Sequence, residues 1–230
     1  MRGHINNSEI RMFLLFGFML LPMAVLCYQQ ELSLSIITSL PLFLILVMML
    51  VTANIDIPVS SIKTKKVQSL DRDALILEEL FSVPLVKELS YSSKQAFNTV
   101  VSLNLGGFII PFFVLIFLIV FQADFVGIEL MLIMMLAVIF LSDFRNGIGV
   151  VVPDFIGILA IPFALIFSPD NLASVIFISG IGGILLGSMV TLLMVDREKK
   201  GSALIDVGGV GTFKAIYVTA ILASLVSWFL

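Results

Sequence analysis

Three carboxylates, Asp143, Asp154 and Asp206, and two bases, Arg145 and Lys214, are the side chains of this sequence best placed to do chemistry. Two carboxyl groups held within a few ångströms of each other share a proton and act as acid and base on a peptide bond. An aspartyl protease of the membrane would announce one of them with Gly-x-Gly-Asp. Here Gly147-Ile148-Gly149 is followed by Val150, Asp143 precedes its glycines, and Asp206 precedes the glycines that follow it. That order favours a plainer arrangement, with Asp143 paired to Arg145 and Asp206 paired to Lys214 or facing water.

A second candidate is Gly208-Gly209-Val210-Gly211-Thr212, set just ahead of an apolar run. Backbone N–H groups at the start of a helix bind anions, and Lys214 would add charge. The string is neither GxGxxG nor GxxxxGK[ST], and no strand is expected before it. It therefore reads as a turn that lets the last helix pack closely. Asn54 and Asn104 carry amides suited to ligating a substrate or, more commonly, to capping a helix end. Gly106, Gly107, Gly147, Gly149, Gly208, Gly209 and Gly211 are expected as hinges at segment ends. The one histidine, His4, and the one cysteine, Cys27, exclude a histidine- or cysteine-based metal centre, and no cofactor is expected.

The elements that must position these residues follow from composition. The chain is 60% hydrophobic and 13% charged, with a mean hydropathy of +1.16. A water-soluble chain of this length has too little polar surface to enclose so much apolar material, so most of it must face lipid. A net charge of -3 gives no footprint for nucleic acid. The expected fold is an all-α integral membrane protein of about seven spans, near 12–28, 34–53, 100–121, 125–141, 151–167, 172–195 and 212–230. The first is read as retained, because no small-x-small cleavage site follows it. Pro41 is a candidate kink.

Residues 54–98 form the one long polar segment. Leu70, Ala74, Leu77, Leu80 and Phe81 recur there at helical spacing, which predicts an amphipathic helix on the membrane or the bundle. Residues 63–94 are the segment suited to docking a soluble or membrane partner. Gly183 and Gly187 have the spacing of a close helix contact and are a candidate face for oligomers.

Seven spans also make a charge prediction, since cytoplasmic loops collect lysine and arginine. With the N-terminus inside and the C-terminus outside, all 13 lysines and arginines fall on the cytoplasmic side. Glu31, Asp124, Glu129 and Asp170 fall on the other side with no base among them. The expected location is the cytoplasmic membrane, crossed several times, with the interrupted helix ends gathered at its inner face. A site, if present, is expected to open toward the cytoplasm.

The strings Asn54-Ile-Asp-Ile-Pro58, Asn104-Leu-Gly-Gly107…Pro111, Gly147-Ile-Gly149…Pro153 and Gly208-Gly209-Val-Gly211-Thr212-Phe213 resemble the signatures of one family. It is a family of polytopic membrane proteins of archaea and bacteria, catalogued as a domain of unknown function. The resemblance implies two acids that this chain lacks, at Met189 and at Lys214. Three functions are open on the residues: a small transporter or ion- or solute-handling protein with a cytoplasm-facing polar cavity; a noncatalytic scaffold or complex subunit; and an intramembrane aspartyl protease-like enzyme. The interrupted helix ends favour the first, and the missing acids weigh against the last.

Overall fold

The computed structural model describes residues 7–65, 96–122, 124–145, 148–196, 202 and 204–229. Its helices are the apolar runs, because a backbone removed from water must satisfy its own polar groups and a helix does so locally. They are α1 (Asn7–Tyr28), α2 (Ser39–Val51), α3 (Ile110–Gln122), α4 (Phe125–Leu141), α5 (Ala160–Phe167), α6 (Leu172–Ile176 continued by Gly182–Met194) and α7 (Phe213–Phe229). A π-helical turn at Leu105–Ile109 leads into α3, a 3-10 turn at Ile156–Leu159 leads into α5, and a π-helical turn at Phe177–Ile181 joins the two parts of α6. Pro41 falls in the first turn of α2, where no intrahelical N–H is needed, and so it does not kink the helix.

Among the described residues, three stretches are long and apolar enough to cross a membrane: Ile10–Tyr28, Leu105–Gln122 and Pro169–Met194. The other apolar helices are shorter; α2, with 13 residues, rises only about 20 Å. Outward faces carry Phe18, Leu44, Phe117, Phe140 and Ile166, all exposed. In water these would make extended apolar patches, whereas lipid satisfies them. This is a helical membrane protein.

The centre of the bundle is α6, buried without interruption from Leu172 to Leu185. Its glycines let α4 approach. A Cβ on Gly183 would strike Met134, and one on Gly187 would strike Val138. A close contact of the kind predicted by the Gly183/Gly187 spacing is therefore made inside the chain, with α4.

The fold is not all-α. Strands β1 (Asp56–Lys65), β2 (Ala96–Asn104) and β5 (Leu204–Val207) form one sheet in the order β1-β2-β5. Strands β3 (Asp143–Arg145) and β4 (Gly149–Val151) form a separate antiparallel pair. β1 and β2 are antiparallel with an irregularity between Pro58 and Ser60, and β2 and β5 are parallel. The helix expected from about residue 100 begins at Leu105 instead, and that expected from about 151 begins at Ile156. Val100, Val101 and Val151 are β-branched and sit in strands, where that branching fits the pleat. The amphipathic helix expected around residues 70–81 lies outside the described residues.

Chain connections collect at two ends of the bundle. One end holds the sheet and the β3–β4 pair. At the other, the Ser33 N–H donates to Ser227 Oγ (3.1 Å) and Gln122 Nε2 donates to Ser174 Oγ (2.7 Å).

Candidate functional site

Asn104, the last residue of β2, has no exposed surface. Its Nδ2 donates to the Ala53 carbonyl (2.6 Å) and to Asp56 Oδ1 (2.8 Å), while its Oδ1 accepts from the Gly107 N–H (2.7 Å). One amide thus ties together the end of α2, the start of β1 and the π-helical turn. The capping role is the one the structure gives it. Asn54, half-buried in the turn after α2, lies next to the tethered Ala53.

Beside this tether the backbone closes on itself. A Cβ on Gly106 would meet the Met49 carbonyl, and one on Gly107 would meet the carbonyl of Gly208. Gly208 has φ +82°, a conformation that glycine adopts without steric penalty. These glycines are packing positions between close neighbours.

Asp206 lies on β5 opposite Ser102 of β2 and is only 6% exposed. Ser102 Oγ donates to its Oδ1 (3.2 Å), and the Val210 N–H donates to its Oδ2 (3.3 Å). A Cβ on Gly209 would collide with the same carboxylate. Contrary to expectation, a strand does precede the glycine string, giving a strand–turn–helix sequence of the kind that cradles anions. Here the chain's own carboxylate takes the Val210 N–H of that turn. The Gly209 carbonyl accepts from Thr212 N–H (3.0 Å) and Phe213 N–H (2.8 Å), which starts α7. The turn is therefore filled from within.

Ser102 and Asn104 are two apart on β2 and share one face of the sheet. Their cross-strand partners, Asp206 and Asp56, stand on that face too. The result is a polar layer of two hydrogen-bonded pairs. Asp56 and Ser102 were not singled out from the sequence. The signal for Asp56 was its place in Asn54-Ile-Asp56-Ile-Pro58, whereas Ser102 had none.

The other candidates lie apart from this layer. Asp143 and Arg145 are exposed on either side of buried Phe144 in β3, and no ion pair joins them among the described residues. Asp154 is exposed in the turn after β4, and Lys214 is exposed in the first turn of α7, so Lys214 does not cover the buried Asp206. Gly149 (φ +107°) lies over Ile205 of β5, and Gly211 packs against the Val150 carbonyl. The Val152 N–H donates to the Gly211 carbonyl (2.9 Å), joining the β3–β4 pair to the turn. Gly147 lies outside the described residues. The structure thus gathers Asn104, Asp206 and most of the glycines into a sealed joint and leaves the remaining charges on the surface.

An open cavity of about 460 Å³ lies at the opposite end of the bundle, lined by Ser33, Ser35, Asp170, Asn171, Ser174 and Ser227 among others. Four serines, Asp170 and Asn171 make most of that lining polar, although hydropathy barely registers serine.

No curated protein and no solved structure matches this chain. A family described as a protein of unknown function, DUF1614, matches residues 50–226. Those bounds enclose the Asn104 tether and the strand–turn–helix around Asp206, so they cover the whole joint between sheet and bundle. The chain belongs to the DUF1614 family.

Proposed function

We propose that this protein is a noncatalytic membrane scaffold or complex subunit that holds a β-sheet platform against one face of the membrane. All seven apolar helices cross the bilayer in this reading, with the sheet on the cytoplasmic side, in keeping with the one-sided distribution of lysine and arginine. The observation that carries it is the sealed joint. Asn104, Gly107, Gly208 and Asp206 are spent on fastening the sheet to the bundle, through hydrogen bonds and contacts too close to admit a Cβ. Residues used in this way leave little with which to bind or transform a substrate.

Among the described residues the platform has an open edge: β1 is the outer strand there, and Ile57 and Val59 on it are exposed. An edge strand of this kind accepts a further strand from another chain, with main-chain hydrogen bonds giving affinity and exposed side chains giving selectivity. The decisive experiment is purification of the tagged protein from crosslinked membranes, wild type beside Ile57→Lys/Val59→Lys. A stoichiometric partner that is lost from the double variant, at unchanged expression, is the expected result. A chain that purifies alone and, once reconstituted, moves a solute across liposomes would overturn the scaffold in favour of transport.

A further inference from the structure

We infer that the cavity at the end of the bundle away from the sheet is a binding site for an alkylammonium group, a cation that donates N–H hydrogen bonds. This inference does not depend on the scaffold reading, since the cavity and the sheet are at opposite ends.

The hydrogen-bond inventory of the wall points to the sign of the ligand. Ser174 Oγ donates its proton to the Asn171 carbonyl (2.9 Å) and accepts from Gln122 Nε2 (2.7 Å). Ser227 Oγ donates to the Ser224 carbonyl (2.7 Å) and accepts from the Ser33 N–H (3.1 Å). A hydroxyl has a single proton. Both are committed to backbone carbonyls, so these two oxygens can offer the cavity only a remaining lone pair. Asp170 adds a carboxylate, while the Ser33 and Ser35 hydroxyls and the Asn171 amide can either accept or donate. The one charged side chain of the wall is therefore negative, and every polar side chain in it can present an acceptor.

The layer behind the wall repeats the pattern. Because the Ser174 proton is already placed, Gln122 must turn its amine toward Ser174, which directs its Oε1 away. That Oε1 is buried with no hydrogen-bond partner, and so is Asp124 Oδ2. Both are closed off from the cavity, so they add negative potential near it rather than contacts for a guest. The loops at this end supply no cation: Glu31, Asp124 and Asp170 are their charged side chains, Glu129 follows in the first turns of α4, and there is no lysine, arginine or histidine among them. Electrostatics and hydrogen bonding therefore favour the same guest.

Size and ligand set distinguish an ammonium from a bare metal ion. The cavity of about 460 Å³ falls in the range of small-molecule sites. Hard divalent ions collect several carboxylate or carbonyl oxygens at close range, and this wall has one carboxylate side chain. An ammonium needs only acceptors spaced for its N–H groups. It can belong to a free amine or to the head of an ethanolamine lipid, since the cavity opens at the end of the helices.

The test is calorimetric titration of the full-length protein in detergent with 1,4-diaminobutane and with ethanolamine. Tetramethylammonium, which has the charge but no N–H, and magnesium chloride are titrated in parallel. Saturable binding of either amine is expected, at least tenfold tighter than tetramethylammonium. Asp170→Asn, an exposed position whose change leaves packing intact, is expected to weaken it about tenfold. A second titration, in nanodiscs with and without phosphatidylethanolamine, separates the sources: amine affinity reduced by the lipid assigns the site to the headgroup, and unchanged affinity assigns it to a free amine. No saturable amine binding, binding equalled by tetramethylammonium or exceeded by magnesium, or affinity unaltered in Asp170→Asn would overturn the inference.

Discussion

Asn104 shows how one side chain can hold a membrane protein's parts in register. Its amide reaches the end of α2, β1 and the start of α3 through three hydrogen bonds, those to Ala53 and Gly107 being closed to solvent. Asn104→Ala would leave the Ala53 carbonyl and the Gly107 N–H without that partner, and neither has water to turn to. Unsatisfied buried groups cost about 1–3 kcal/mol each, so a loss of roughly 2–4 kcal/mol is expected, read as a fall of several degrees in the melting temperature in detergent. Asn104→Asp keeps the acceptor for Gly107 but loses both donors and sets a second carboxylate beside Asp56, so it should be at least as damaging. If Asn104 instead ligated a substrate, Asn104→Ala would leave the melting temperature unchanged. The residue type was legible in the sequence as a cap, because asparagine before an apolar run is a common helix start. Its two other partners were not legible, since Ala53 and Asp56 are distant in sequence and brought close only by the pairing of β1 with β2.

The helical elements were easier to read than the strands, and the reason is physical. An apolar run long enough to bury itself in lipid is a local property, visible in a short window. A strand is defined by its partner, and β2 pairs with residues 56–65 on one side and 204–207 on the other. Neither pairing leaves a periodic mark in an otherwise apolar or polar stretch. The same blindness to partners affected the glycine pair on α6: the spacing of Gly183 and Gly187 announced a close helix contact but could not say with which helix. Since that helix is α4 of the same chain, Gly187→Leu would force its side chain into Val138 and the Met135 carbonyl. Overpacking of this kind costs typically 1–3 kcal/mol. The expected outcome is a lower melting temperature with an unchanged molar mass by light scattering. A change of oligomeric state at an unchanged melting temperature would place the contact between copies.

At the scale of the whole molecule, the two ends differ in kind. One end is built from strands and closed by glycines, while the other holds an open cavity lined partly by serines. Charge divides along the same line if the apolar helices alternate across the bilayer, with lysine and arginine on the sheet side. This alternation has a direct test, because Cys27 is buried and can be replaced to give a cysteine-free background. Ser61, exposed on β1, and Ser35, exposed in the loop between α1 and α2, then serve as reporters when each is changed to cysteine. In intact cells an impermeant maleimide should label Ser35→Cys and spare Ser61→Cys, and permeabilisation should expose both. The opposite labelling would invert the protein and put the lysine-rich loops outside. Equal labelling of both in intact cells would mean that α2 does not cross, which its length leaves as a real alternative: 13 residues rise about 20 Å against a hydrocarbon core of about 30 Å. The end of the preceding loop extends that crossing: Leu32 and Leu34 are fully buried and the Ser39 hydroxyl donates to the Leu32 carbonyl (2.6 Å), while Ser35 between them stays exposed. The lysines of β1 at one end of α2 and the acidic, lysine-free loop at the other favour opposite sides of the membrane, so the labelling that separates the two serines is the outcome to expect.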